Sequence, residues 1–123
     1  MKYMLLIYGN EAARGQATKE QMGQMFAAYG AYTAAMKQAG AFVAGDPLQP
    51  SPTATTVRVT GGKTQVLNGP YAETKEQLGG YYIIDVADLD QALSWAAKCP
   101  GASMGTMEVR PLMSMEAVSV AAQ

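Results

Sequence analysis

A carboxylate set between a glycine and a proline, in Gly45-Asp46-Pro47, is the side chain that the sequence holds most firmly for proton transfer. Its neighbours narrow the backbone, and an Asp fixed at the end of a strand is a candidate catalytic residue acting as general base. An Asp that merely caps a turn has the same signature, and that plainer role outweighs the catalytic one. Hydroxyls for the same space come from Tyr8, Tyr81 and Tyr82, although aromatic packing at an interface is the weightier reading. A second group lies on the loop Asn68-Gly69-Pro70-Tyr71-Ala72-Glu73-Thr74-Lys75-Glu76. Thr74 with Gln77 has capping-box spacing, which predicts one helical turn whose free amides, with Lys75, would hold an anion. A solvated mixed-charge turn accounts for Glu73, Lys75 and Glu76 more simply. Turn geometry explains Gly69, and close approach or a bulge explains Gly79 and Gly80. The ligand-binding candidates are therefore Tyr8, Asp46, Asn68, Tyr71, Lys75 and Tyr82.

Missing residue types narrow the chemistry further. There is no histidine, hence neither the usual proton shuttle at neutral pH nor the commonest zinc ligand, and neither metal nor cofactor is expected. Cys99 is the one cysteine, so no intrachain disulfide can form; before Pro100, at the end of a helical pattern, it reads as a small buried hydrophobe rather than a reactive thiol. Nine basic residues against ten acidic ones leave no field to attract a nucleic acid backbone. No apolar run approaches a membrane span, and the opening Met1 to Tyr8 is too short for a signal peptide, so a cytoplasmic protein without a membrane partner is expected.

At 123 residues the chain suits one domain, taken as 1–113, followed by a weakly patterned tail, 114–123, that frays or wraps a neighbour. Lys2 to Tyr8 is apolar at nearly every position, the pattern of a central strand covered on both faces. Gly9 to Ala17 reads as loop. Thr18 with Gln21 is a capping box, and Met22, Met25, Phe26, Tyr29, Tyr32 or Thr33, Met36 and Ala39 form one helical stripe ended by Gly40. Those methionines are better taken as core filler than as a ligand pocket. Ala41 to Ala44 is a short strand broken at Gly45-Asp46-Pro47, and Gln49 to Pro52 is an exposed connection. Two strands, Ala54 to Thr60 and Lys63 to Leu67, flank Gly61-Gly62; a tight hairpin there sets Val57 opposite Val66 and Arg58 opposite Gln65. Tyr81 to Asp85 is a further strand. Asp88 caps a second helix, with Leu89, Ala92, Leu93 and Ala96 on one face and Trp95 off its centre, either touching a partner or packing at the flank. Thr106 to Leu112 alternates as a last strand, with Pro111 at an edge.

This order makes two β-α-β units around an inserted hairpin, a ferredoxin-like α+β fold with both helices on one face of an antiparallel sheet. The other face keeps the second set of apolar side chains from Met4 to Tyr8 and from Tyr81 to Ile84, more than a monomer usually exposes. A homodimer with its two sheets face to face around a cavity is the expected solution.

The run Asn68-Gly69-Pro70-Tyr71-Ala72-Glu73-Thr74-Lys75-Glu76-Gln77-Leu78-Gly79-Gly80-Tyr81-Tyr82 resembles the DGPF-domain branch of the YCII-related family, as do Ile84-Asp85-Val86 and Glu108-Val109-Arg110-Pro111-Leu112. The opening Lys2 to Gly9 and the central Thr53 to Arg58 resemble it too. The resemblance implies a dimeric α/β barrel, small-molecule chemistry through a His and Asp pair in the wider family, and an association with transcription-initiation factors. Two departures matter: Asn68 stands where the motif has its Asp, so no carboxylate at that turn can act as base, and no histidine can complete the pair. The expected role is thus a small-molecule-binding or accessory module, one that informs a transcription regulator. The alternatives are an enzyme moving a proton on a small organic substrate with Asp46 and a tyrosine, and a purely structural interaction partner.

Overall fold

The computed structural model describes residues 1–116, so the expectation for the tail beyond them lies outside the described residues. Strand β1 (Lys2–Gly9) leads through a short helix α1 (Glu11–Arg14) into α2 (Lys19–Gln38) and β2 (Phe42–Pro47). The ribbon β3 (Thr55–Thr60) and β4 (Lys63–Asn68) follows, then β5 (Gln77–Asp85), α3 (Leu89–Lys98) and β6 (Thr106–Pro111). The four-stranded sheet has the order β2-β5-β1-β6 with every neighbour antiparallel, which is the ferredoxin-like arrangement. Among the described residues no helix is long and apolar enough to cross a membrane.

Local chemistry explains most of the boundaries. Thr18 accepts the Gln21 amide at 3.1 Å while the Gln21 side chain accepts the Thr18 amide at 2.9 Å, so the capping box opens α2. Gly40, at φ 73°, follows the last turn of that helix in the left-handed conformation that glycine adopts freely. Asp88 caps α3 through the Gln91 amide at 2.9 Å. Gly61 and Gly62 both have positive φ, and the ribbon has Val57 opposite Val66 and Arg58 opposite Gln65, as the turn dictates.

The core lies on one face of the sheet. Tyr3, Leu5 and Ile7 of β1 and Tyr82 and Ile84 of β5 pack there with Tyr32 and Met36 of α2 and Ala92 and Ala96 of α3. Cys99 is buried in the same cluster as a core residue, where burial pushes its thiol up from the ordinary value.

Several expectations need correction. The segment after β1 is not all loop, because the Asn10 side chain caps α1 through the Ala13 amide. The apolar stripe of α2 is core only in its second half: Tyr32 and Met36 are buried, whereas Met22 is exposed and Phe26 is 83% exposed. Spacing identifies the apolar side of a helix, but not how much of it a sheet reaches. Strand β2 does not break at Gly45; it pairs with β5 through Pro47. A Cβ on Gly45 would stand 2.4 Å from the Tyr82 ring, so glycine here admits a neighbouring aromatic, and Pro47 is tolerated because β2 is an edge strand. Thr74 and Gln77 start no helix. The Thr74 hydroxyl donates to the Glu76 carbonyl, and Gln77 is the first residue of β5. Trp95 packs on the flank of the core, where its carbonyl accepts the Tyr32 hydroxyl at 2.7 Å.

Candidate functional site

Side chains alternate along a strand, so every second residue of β1 and β5 faces away from the helices. Met4, Leu6 and Tyr8 of β1 and Leu78, Tyr81 and Ile83 of β5 form this second face; they lie outside the core cluster and keep part of their surface open. Register arranges them in rows across the sheet. Ala44 stands opposite Ile83, which is opposite Met4, which is opposite Arg110. The next row is Asp46, Tyr81, Leu6 and Glu108. The result is an apolar bed with polar groups at both edges.

At the β2 edge the Tyr81 hydroxyl donates to Asp46 Oδ2 at 2.8 Å. That bond, and the carboxylate charge beside it, push the Tyr81 phenol up from its ordinary value. At the β6 edge Arg110 and Glu108 form an ion pair, and the Thr106 hydroxyl donates to Glu76 Oε1 at 2.8 Å. Both edges are well exposed, so the contacts fix geometry more than they add stability.

The bulge expected at the double glycine is present: Ile7 pairs with Gly80 and Tyr8 with Leu78, which leaves Gly79 as the extra residue. A Cβ on Gly79 would approach the Arg14 guanidinium at 3.0 Å, and one on Gly80 would approach the Asp46 carbonyl at 3.1 Å. The glycines thus let α1 and β2 close on β5. The bulge also decides which way Leu78 faces at the start of β5: the extra residue brings it opposite Tyr8, onto the face of Tyr81 and Ile83.

Of the residues named from sequence, Asp46 and Tyr8 share the uncovered face, joined there by Tyr81. Tyr82 does not. It is 8% exposed on the helix side, and its hydroxyl meets Thr33 Oγ1 at 2.8 Å. Consecutive strand residues cannot open into one space, which corrects the grouping of Tyr81 with Tyr82. Asn68 ends β4 opposite Thr55. Tyr71 is 79% exposed, with the Arg58 guanidinium 6.0 Å from its ring centroid, and Lys75 is exposed. Among the described residues, no hydrogen bond or ion pair joins Asn68, Tyr71 or Lys75 to the Asp46–Tyr81 pair.

Sequence reasoning missed an open cleft of about 380 Å³ walled by Pro52, Pro70, Glu73 and Gln77 among others. Beside it, Glu11 accepts both the amide and the hydroxyl of Ser51 at 2.7 Å, and the Glu11 amide donates to Gln77 Oε1 at 3.0 Å. These polar groups are satisfied by one another, so they lock α1, the turn at Ser51–Thr53 and β5 together. Glu11 and Ser51 are 40 residues apart, and no local spacing signals such a pair.

The family model for the YCII-related domain matches residues 1–116. An uncharacterized protein of Rhizobium meliloti (strain 1021) is 40% identical over 114 residues, covering 91% of this chain and 92% of that relative.

Proposed function

Since this chain belongs to the YCII-related domain family, we propose that it works as a homodimer holding a small organic molecule between two copies of the uncovered sheet face. One observation carries the reading: Met4, Leu6, Tyr8 and Ile83 form an apolar surface that neither α2 nor α3 covers, and at its β2 edge is set a hydrogen-bonded polar pair, Asp46 with Tyr81. An apolar concavity with a few oriented polar groups is the usual form of a small-molecule site. A second copy supplies the missing wall, because an identical sheet is complementary to this one about a two-fold axis.

A thermal-shift screen of small metabolites tests the idea, run on the natural chain and on Ile83→Glu, which places a charge in the middle of the bed. Compounds that stabilise the natural chain and leave Ile83→Glu unmoved are the expected outcome. Equal shifts in both proteins would place the ligand elsewhere and sink the reading.

The 2.8 Å bond from Tyr81 to Asp46 also supports a second reading, proton transfer on the bound molecule, with the carboxylate as base and the phenol holding it in orientation. Turnover lost in Asp46→Asn, with binding retained, selects the enzyme over the binding module. Turnover of every accepted substrate unchanged in Asp46→Asn removes it.

A further inference from the structure

The hydrogen-bonding capacity that the Asp46–Tyr81 pair leaves unused defines the kind of molecule it can take. A phenol has one proton to donate, and Tyr81 gives it to Asp46 Oδ2. What remains on the pair is acceptors only: the phenol oxygen's lone pairs and those of the carboxylate. Among the described residues no lysine or arginine is ion-paired with Asp46, and Arg110, on the same face, is engaged by Glu108. Leu6 lies opposite Tyr81 on one side, and Ile83 follows two residues along β5, so the acceptors border hydrocarbon.

Desolvation sharpens this. A second sheet laid over the face would draw water away from an Asp carboxylate that, among the described residues, is hydrogen-bonded by a neutral phenol, and a charge so placed is costly without an opposite charge beside it. A ligand that brings a cation removes that cost, whereas an anionic ligand adds to it.

We infer that the uncovered face takes a protonated amine bearing an apolar body, with Asp46 receiving the ammonium group and Leu6 and Ile83 receiving the hydrocarbon. The inference rests on the reading of this face as an enclosed ligand site, and goes beyond it in naming the ligand's chemistry.

The test is an NMR titration of the full chain with three probes of one shape: benzylamine, benzyl alcohol and benzoate. The backbone amides of Asp46, Tyr81 and Ile83 report binding. Benzylamine should bind about tenfold more tightly than benzyl alcohol, the equivalent of about 1.4 kcal/mol, with benzoate weakest. Asp46→Asn should bring the amine and the alcohol to within about twofold of each other, since only the charge distinguishes them. If the alcohol or benzoate binds this face as well as the amine does, or if Asp46→Asn leaves the preference intact, the amine assignment is wrong while the ligand site stands. If none of the three perturbs these amides, the assignment and the site fall together.

Discussion

Tyr81 and Tyr82 are adjacent in the chain and face opposite environments. Tyr82 lies under α2, edge-on to Tyr32 at 5.4 Å and to Phe42 at 6.3 Å, with its hydroxyl on Thr33. Tyr81 lies on the far side of the same strand with its hydroxyl on a carboxylate, away from α2 and α3. The contrast extends to whole faces: Tyr3, Leu5 and Ile7 against Met4, Leu6 and Tyr8, two sets of similar hydrophobicity drawn from one strand. One face is completed by the chain's own helices; the other is apolar enough for a core and has no cover among the described residues. Hydrophobic content alone does not make a core. A core also needs an element within reach, and the fold places both of its long helices on one side.

Paired substitutions sharpen the comparison. The largest effect is expected for Leu5→Ala: Leu5 is fully buried, and the cavity left should cost about 3 kcal/mol in urea unfolding, against less than about 1 kcal/mol for Leu6→Ala measured on a single chain. Equal costs would mean that the second face is packed within a single chain. Next comes Gly45→Ala, whose new methyl would meet the Tyr82 ring and the Tyr81 carbonyl, for a loss of about 1–3 kcal/mol from overpacking. Tyr82→Phe takes a part-buried hydroxyl from Thr33 and should cost about 1 kcal/mol, whereas Tyr81→Phe should cost less than about 0.5 kcal/mol, since water replaces its partner.

The smallest effects appear in pH dependence. Burial raises the Tyr29 and Tyr32 phenols well above the ordinary value of 10.0, so the native state binds these protons more tightly than the unfolded state does. The stability they contribute is complete below about pH 10 and falls as pH rises beyond it, because the unfolded phenols ionise first. Urea midpoints should therefore decline above that value, and less so in Tyr32→Phe. A midpoint that rises with alkali would contradict the burial of these rings. On the other face, Asp46→Asn should lower the Tyr81 titration toward the ordinary phenol value, since the carboxylate raises it. An ultraviolet titration unchanged by Asp46→Asn would show that the two groups are not bonded.

The features legible in the sequence are those whose causes are local. The ribbon's register follows from two glycines with positive φ between β-branched runs, and two helix starts follow from Thr18 with Gln21 and from Asp88. Thr74 with Gln77 has the same spacing as Thr18 with Gln21 but starts no helix, because Gln77 opposite Gly9 is the first residue of β5 in the sheet. Lys2 to Tyr8 and Tyr81 to Ile84 are apolar on both faces, so their pattern shows that they are central strands without showing which residues the helices cover. That choice needs the register, and the register hides Tyr82 and opens Tyr81. Asp46 was legible as a candidate from its place between Gly45 and Pro47. Its partner, 35 residues away, was legible only as one of three tyrosines, because the pairing of β2 with β5 through Pro47 is what selects Tyr81.

Mass in solution bears most directly on the claim that a second copy covers the uncovered face. Light scattering at micromolar concentration should give double the 13.0 kDa chain mass for the natural protein and the single-chain mass for a folded Ile83→Glu variant. A natural protein that stays at 13.0 kDa up to millimolar concentration would contradict it.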